Sequence, residues 1–238
     1  LTERCGFRRI PEYAGALEHR PAAGEPEVLG LMQRFVPNQG EAWRLALDAV
    51  GHFLEHALTR SGRVERPPAA PASLLEAGRS QPEAALAELL GARTLEWAEL
   101  LGRRTGEMHL ALAREDAPEA FKPEPFTTHY QRSLFQAMQA KTRHELRGLA
   151  AQADNLPPGI KPLAREVAGL GDAVIERMRH GLEEKLPAKK IRIHGDYHLG
   201  QVLFTGRDFI IFDFEGEPAR PLSERRLKRA PARDAAGM

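Results

Sequence analysis

The sequence predicts an α+β chain. Three observations predict it. Short strand-like runs open the chain, a long stretch rich in helix formers fills its middle, and a compact β element follows Pro187. Hydrophobic residues make up 42% of the 238 residues, enough to bury a core and to exclude wholesale disorder.

The elements follow in order. "FRRIPEYAGALEHR" and "EVLGLMQRFV" read as strands, with the turn-rich "PAAGEP" between them. "VPNQGEAW" leads into a helix that Asn38 or Gly40 would cap, with Glu41 in its first turn, where the helix dipole favours negative charge. From Glu41 to about Thr59 the pattern is amphipathic. "SGRVERPPAAPA" (61–72) is a Pro-rich connector, and the stretch from Ser73 to Glu115 reads as mostly helical. Within it Trp97, Leu101, Thr105, Met108 and Leu112 fall on one helix face. "DAPEAFKPEPF" breaks the pattern. Tyr130, Leu134, Met138, Leu146 and Leu149 mark a second helix that "NLPPG" ends. Leu163, Val167, Leu170, Val174, Met178 and Leu182 mark a long third helix. Met and aromatic residues at this spacing are assigned to core. After Pro187, "KKIRIHG", "QVLFTG" and "DFIIFDF" read as strands, with Thr205-Gly-Arg-Asp208 as a hairpin turn.

Charge and cysteine content narrow the function classes. Lys+Arg 34 against Asp+Glu 33 lacks the basic excess of a bulk nucleic-acid binder. The single cysteine, Cys5, leaves no intrachain disulfide and suits a reducing cytosol, so a cytoplasmic location is expected. No apolar run reaches the ~20 residues of a membrane span, and no signal peptide is visible. The chain opens at Leu1 and stops at Met238 in "RDAAGM", which reads as the start of a helix, so a segment of a longer protein is expected.

The chemistry concentrates between Ile191 and Pro218. Asp196 sits in a loop beside Gly195, Gln201 begins the next strand, and Asp213 ends a third, buried-looking strand. A carboxylate, an amide oxygen five residues on and a second carboxylate across a hairpin suit phosphoryl transfer. One carboxylate takes or orients the acceptor hydroxyl proton, while the amide and the second carboxylate offer hard oxygen ligands to Mg²⁺ on the nucleotide phosphates. The spacing matches D-x-x-x-x-[N/Q] followed by D-F-x, the pattern of a kinase catalytic loop and its metal-binding Asp. His194 and His198 do not share a helix face and have no third ligand nearby in sequence, which disfavours zinc; a loop-structuring role is expected.

At "HGDYHLGQVLF" with "FDFEGEPARPLSERR", and upstream at "LMQRFVPNQGEAW", "LGRRTGEMHLAL" and "PEPFTTHYQRSL", the chain resembles maltokinase, a family of the aminoglycoside-phosphotransferase-like, protein-kinase-like fold. The resemblance runs from about Phe7 to Met238. It implies a bilobal fold, with residual N-lobe strands and hinge at 1–36 and a helical C-lobe carrying the catalytic hairpin at 37–238. It implies ATP-dependent phosphorylation of maltose to maltose 1-phosphate within trehalose-to-glycogen metabolism. Asp196 would be the base, Gln201 and Asp213 would hold Mg²⁺, and Glu215, Glu217 and Arg220 would line the sugar side. Gln33, Arg34, Phe35 and Val36 would be the hinge that meets adenine. Arg225 and Arg226 read most simply as a solvent-facing turn. Such domains occur fused to trehalose synthase, which is the expected partner. The phosphate-covering loop and the strand lysine of such kinases are missing from the sequence, so the segment alone is expected to be weak or inactive. Two alternatives are a kinase for an amino alcohol or aminoglycoside, against which the basic "RRLKR" argues, and a non-catalytic module that docks on a synthase.

Overall fold

A computed structural model describes residues 1, 5–22, 26–59, 84–180, 182 and 184–238. The Pro-rich connector and the start of the predicted helical region after it lie outside the described residues. The elements are β1 (Tyr13–His19), β2 (Glu27–Gln33), α1 (Ala42–Thr59), α2 (Ala84–Leu90), α3 (Ala92–Leu112), β3 (Glu124–Pro125), α4 (Thr128–Gln152), α5 (Lys161–Ala168), α6 (Gly171–His180), β4 (Lys189–Lys190), β5 (Val202–Phe204), β6 (Phe209–Ile211), α7 (Leu222–Arg225) and α8 (Ala232–Gly237). The described strands pair in three antiparallel two-stranded sheets, β1–β2, β3–β4 and β5–β6.

Two compact units form, one from residues 1–123 and 191–238, the other from 124–190. The segment that leads into β1 packs with the C-terminal segment of the same unit. The reason is visible at Phe7 and at Arg9. Phe7 is buried in the core beside Met108 and Ile211, and the Arg9 carbonyl accepts from Ile211 N–H at 2.8 Å.

The core of the first unit gathers Phe7, Ala42, Met108, Leu112, Ile191, Tyr197, Val202, Phe204, Phe209 and Ile211. Its geometry follows from two periodicities. On α3, Trp97, Leu101, Met108 and Leu112 share one face at the helical repeat, and all four pack on this cluster. On β5 and β6 the alternate residues Val202, Phe204, Phe209 and Ile211 point inward, with Phe204 at 5.4 Å from Phe209 and 5.0 Å from Trp97 between ring centroids. The tight turn between these strands is held by the Thr205 N–H to the Asp208 carbonyl at 2.9 Å. Arg104 of α3 clamps the same turn. Its guanidinium forks onto both Asp208 oxygens (2.7 and 3.0 Å) and onto Glu107 (2.9 and 2.8 Å).

Asn38 does not cap α1. Its Oδ1 accepts from Gly40 N–H at 3.0 Å and its Nδ2 donates to the Val36 carbonyl, so it closes a turn before the helix. Gly40 takes φ +114°, and its carbonyl accepts from Phe204 N–H, which joins this turn to β5.

In the second unit α4 carries a Thr127 cap, whose hydroxyl accepts from Tyr130 N–H. The buried Gln131 donates from its amide to the Leu182 and Glu184 carbonyls. The single long helix expected from Leu163 to Leu182 is two helices, α5 and α6, that break around Gly169. Gly169 N–H bonds back to the Arg165 and Glu166 carbonyls and closes α5. The break rotates the apolar stripe. Leu163, Val167 and Leu170 are exposed instead of core, while Ala164 and Ile175 are buried.

Candidate functional site

The site lies wholly in the first unit, on the loops that lead into and out of the β5–β6 hairpin. Residues 194–198 form the first loop. Gly195 takes φ +88°, and a Cβ there would meet the Gly216 Cα at 3.4 Å. Gly216 also has positive φ, at +76°. Two glycines thus let the loop bearing Asp196 approach the loop bearing Glu215 and Glu217.

Asp196 is half-buried, and no described side chain pairs with its carboxylate. Gln201 ends a 3₁₀ turn (Leu199–Gln201), and its Nε2 donates to Asp213 Oδ2 at 2.8 Å. The side-chain oxygens Gln201 Oε1 and Asp213 Oδ1 take no part in that bond and keep their acceptor capacity. Asp213 is the one non-glycine described residue with positive φ, at 62°. This left-handed backbone costs roughly 1–2 kcal/mol and redirects the chain at the end of β6.

His194 is 1% exposed. Its Nε2 donates to the Phe212 carbonyl at 2.8 Å, which ties the first loop to the residue before Asp213. Its Nδ1 is buried without a partner among the described residues. Burial holds its pKa below the usual histidine value, against the pull of the nearby Asp234, Asp213 and Asp196 charges. The ring is therefore a neutral donor at pH 7. His198 uses Nδ1 to accept from Gly200 N–H at 3.1 Å. Both histidine rings are engaged with backbone.

Glu215 is 70% exposed and stands 3.9 Å from Arg225. Arg220 pairs with Glu217 and, at 3.1 Å, with Glu224. Arg233 approaches Glu217 at 3.5 Å. Arg225 is not a free solvent-facing turn residue. Its guanidinium donates to the Arg220 and Pro218 carbonyls at 2.8 and 2.7 Å and so shapes the acidic loop. At the other edge, Gln33 ends β2 and Arg34 N–H donates to the Glu12 carbonyl at 2.8 Å; Phe35 projects at 82% exposure.

Sequence reasoning missed four residues. Asp234 is 2% exposed; its carboxylate accepts from His194 N–H (2.9 Å), Gly195 N–H (3.0 Å) and His109 Nε2 (2.9 Å). Thr105 Oγ1 and Tyr197 OH are 2.8 Å apart. Burial pushes the Tyr197 phenol up to about 12, so it stays protonated. Thr105 was read only as a member of the α3 stripe, and no local signal marks Asp234, which sits 38 residues beyond Asp196 in sequence.

No described group of three His, Cys, Asp or Glu converges as a metal site. Mg²⁺ requires less. It binds through one or two protein oxygens and keeps several waters, and the free Gln201 and Asp213 oxygens are hard donors of that kind. The pair fits Mg²⁺. A cavity of about 980 Å³ lined by Leu1, Cys5, Tyr13, Leu112 and Phe121 includes none of these residues.

No known family profile matches the chain. It is similar to a glucosamine kinase of Streptacidiphilus jiangxiensis, at 24% identity over 237 residues, which is 99% of this chain and 42% of that protein. A glucosamine kinase of Mycolicibacterium smegmatis (strain ATCC 700084 / mc(2)155) is 50% identical over 46 residues, 19% of this chain and 11% of that protein. Among solved structures, a glucosamine kinase in complex with glucosamine, ADP and inorganic phosphate superposes with a TM-score of 0.63 at 24% identity. It covers 100% of this chain and 45% of its own. A second crystal form of glucosamine kinase gives the same score. The chain thus spans less than half the length of the relatives it matches, and it shares their fold.

These findings correct the sequence reading. The resemblance to maltokinase is overturned, because the relatives that span the chain are glucosamine kinases. Maltose, trehalose synthase and glycogen metabolism have no support. The bilobal protein-kinase-like expectation with a partial N-lobe is also overturned. The whole chain matches the glucosamine kinase fold, and its opening strands share one compact unit with residues 191–238. Among the described residues, no helix is long and apolar enough to cross a membrane.

Proposed function

We propose that this chain carries the phosphoryl-transfer residues of an ATP-dependent kinase whose acceptor is an amino sugar of the glucosamine class. The observation that carries the reading is the half-buried Asp196 carboxylate on the loop that leads to the hydrogen-bonded Gln201–Asp213 pair. The likeness to glucosamine kinases, one of them solved with glucosamine and ADP, supports the acceptor and the nucleotide.

Asp196 accepts the proton of the sugar hydroxyl as its oxygen attacks the γ-phosphorus of ATP. The P–O bond to the β-phosphate breaks, and ADP leaves with that electron pair. Gln201 and Asp213 are the residues that would hold Mg²⁺, which when bound neutralises phosphate charge. Glu215, exposed and only loosely paired, is suited to meet the sugar's ammonium or hydroxyl groups. Glu217 and Arg220, already ion-paired, line the same side of the loop and hold its shape. Gln33, Arg34, Phe35 and Val36 form the edge assigned to adenine.

The test is phosphorus NMR on the longest natural polypeptide that contains this sequence, with MgATP and glucosamine. A new sugar-phosphate resonance is expected, and Asp196→Asn should lower its rate by about 10²–10⁴-fold. No product from glucosamine, or an undiminished rate in the variant, would sink the proposal.

A further inference from the structure

The acidic loop from Glu215 to Arg220 has no strand or helix of its own. One side chain runs through it. Arg225 is the last residue of α7, and its side chain is 18% exposed. Its stem lies against Gly216: a Cβ at that buried glycine would stand 3.4, 3.6 and 3.8 Å from the Arg225 Cβ, Cγ and Cδ. Beyond the stem, Nε donates to the Arg220 carbonyl at 2.8 Å, and one terminal nitrogen donates to the Pro218 carbonyl at 2.7 Å. The other terminal nitrogen stands 3.9 Å from the Glu215 carboxylate. The backbone closes the ring, because Arg225 N–H bonds the Pro221 carbonyl at 3.2 Å. Arg225 therefore meets Glu215, Gly216, Pro218 and Arg220, and the loop is folded around it.

We infer that Arg225 is a positioning residue for acceptor recognition: the fork of its guanidinium, and not its charge alone, sets the loop that presents Glu215. The inference rests on the kinase reading for the acceptor, though not for the anchoring itself. Two carbonyls two residues apart are met by two N–H groups of one rigid plane, so the loop takes one curvature when both bonds form. A lysine brings the same charge as a single point on a flexible stem and cannot span that pair in one geometry. The guanidinium is committed to the two carbonyls, and its approach to Glu215 is the longest of the three polar contacts. The Glu215 carboxylate is therefore placed by its loop and stays available to a substrate. These contacts fall on residues of the acidic loop and not on Gln201 or Asp213, which are assigned to Mg²⁺. Loss of the fork should therefore weaken the acceptor and spare ATP.

The test uses the longest natural polypeptide containing the chain. Deuterium exchange is read by mass spectrometry on peptides covering residues 213–221, where the Arg220 N–H bonds the Glu217 carbonyl at 3.0 Å. Steady-state kinetics with MgATP and glucosamine run beside it. Arg225→Lys should speed exchange in those peptides at least about fivefold, since the loop loses its anchor. It should raise KM for glucosamine about 10- to 100-fold, the range for losing hydrogen bonds to a charged group. KM for ATP should stay within about threefold and kcat within about fivefold, the pattern of lost binding rather than lost chemistry. Arg225→Ala should give the same pattern at larger size. Arg226→Ala, which removes an exposed neighbouring guanidinium, should leave all these readouts as in wild type. Unchanged exchange in both Arg225 variants would overturn the anchor. Arg225→Lys behaving as wild type, or Arg226→Ala matching it in effect, would overturn the fork in favour of charge. Faster exchange with an unchanged KM for glucosamine, or KM for ATP rising in step, would overturn the acceptor role. If the wild-type polypeptide transfers no phosphate to glucosamine, the kinase reading and the acceptor role fall together, and exchange alone still decides the anchor.

Discussion

Two hairpins of the same unit have opposite fates. β5–β6 is three residues per strand, and its inward residues are almost completely buried, with Ile211 at 0% and Phe209 at 2% exposure. β1–β2 is seven residues per strand, yet every residue of it is exposed or half-buried; Leu17 stands at 67% and Leu31 at 60%. Both sequences have strand composition. The difference lies in what packs on them. β5–β6 is covered by the apolar face of α3 and clamped at its turn by Arg104, whereas β1–β2 has two register shifts and ion pairs that lie in solvent. Exposed pairs such as Arg20–Glu18 contribute about 0–1 kcal/mol. The candidate site is built on the rigid hairpin, where its carboxylates are held by packing rather than by strand length.

The comparison can be broken in three places. The largest effect is expected from Phe209→Ala, which empties the centre of the buried hairpin. It should cost about 3–5 kcal/mol in chemical denaturation, and a cost below about 1 kcal/mol would mean the hairpin is not core.

The next effect is in the turn. Burial pushes the Asp208 carboxyl up, but Arg104, the Phe209 N–H and Arg9 outweigh it and hold its pKa below the ordinary value. A carboxyl depressed on folding stabilises the fold fully above its unfolded value of about 3.9, and that share is lost as pH falls through the folded value. Thermal unfolding followed between about pH 5 and 2 should show this acid loss. Asp208→Asn should cost about 1.5–3 kcal/mol at neutral pH, the range for hydrogen bonds to charged groups, and should flatten the acid limb. Parallel acid limbs would remove Asp208 as an anchor.

The smallest effect is expected in the exposed hairpin. Leu31→Thr should shift stability by no more than about 0.5 kcal/mol. A loss near that of Phe209→Ala would show that β1–β2 is covered by something outside the described residues.

Much of this organisation was legible in the primary structure. Periodicity marked β1, β2, α1, α3 and α4, because alternation and the 3.6-residue repeat are local properties of the chain. The α5–α6 break was not legible, since a glycine inside an apolar repeat is tolerated as often as it terminates a helix. The Asp196, Gln201 and Asp213 spacing drew attention because all three fall within 18 residues of one hairpin. Asp234, His109 and Thr105 did not, since they reach the same loop from helices at distant points in the sequence.

The sequence by itself determined most of the strands and helices and which short stretch concentrates acids and amides. The resemblance to maltokinase misled, because a relative that spans the chain is a glucosamine kinase. Only the tertiary structure decided that the segment before β1 packs against the C-terminal hairpin, that Gly195 and Gly216 bring two acidic loops together, and that the buried Asp234 carboxylate bonds the backbone before Asp196. The physical reason is range. Periodicity acts over a few residues, whereas burial and the partners of a buried charge are set by whichever segments the fold brings together.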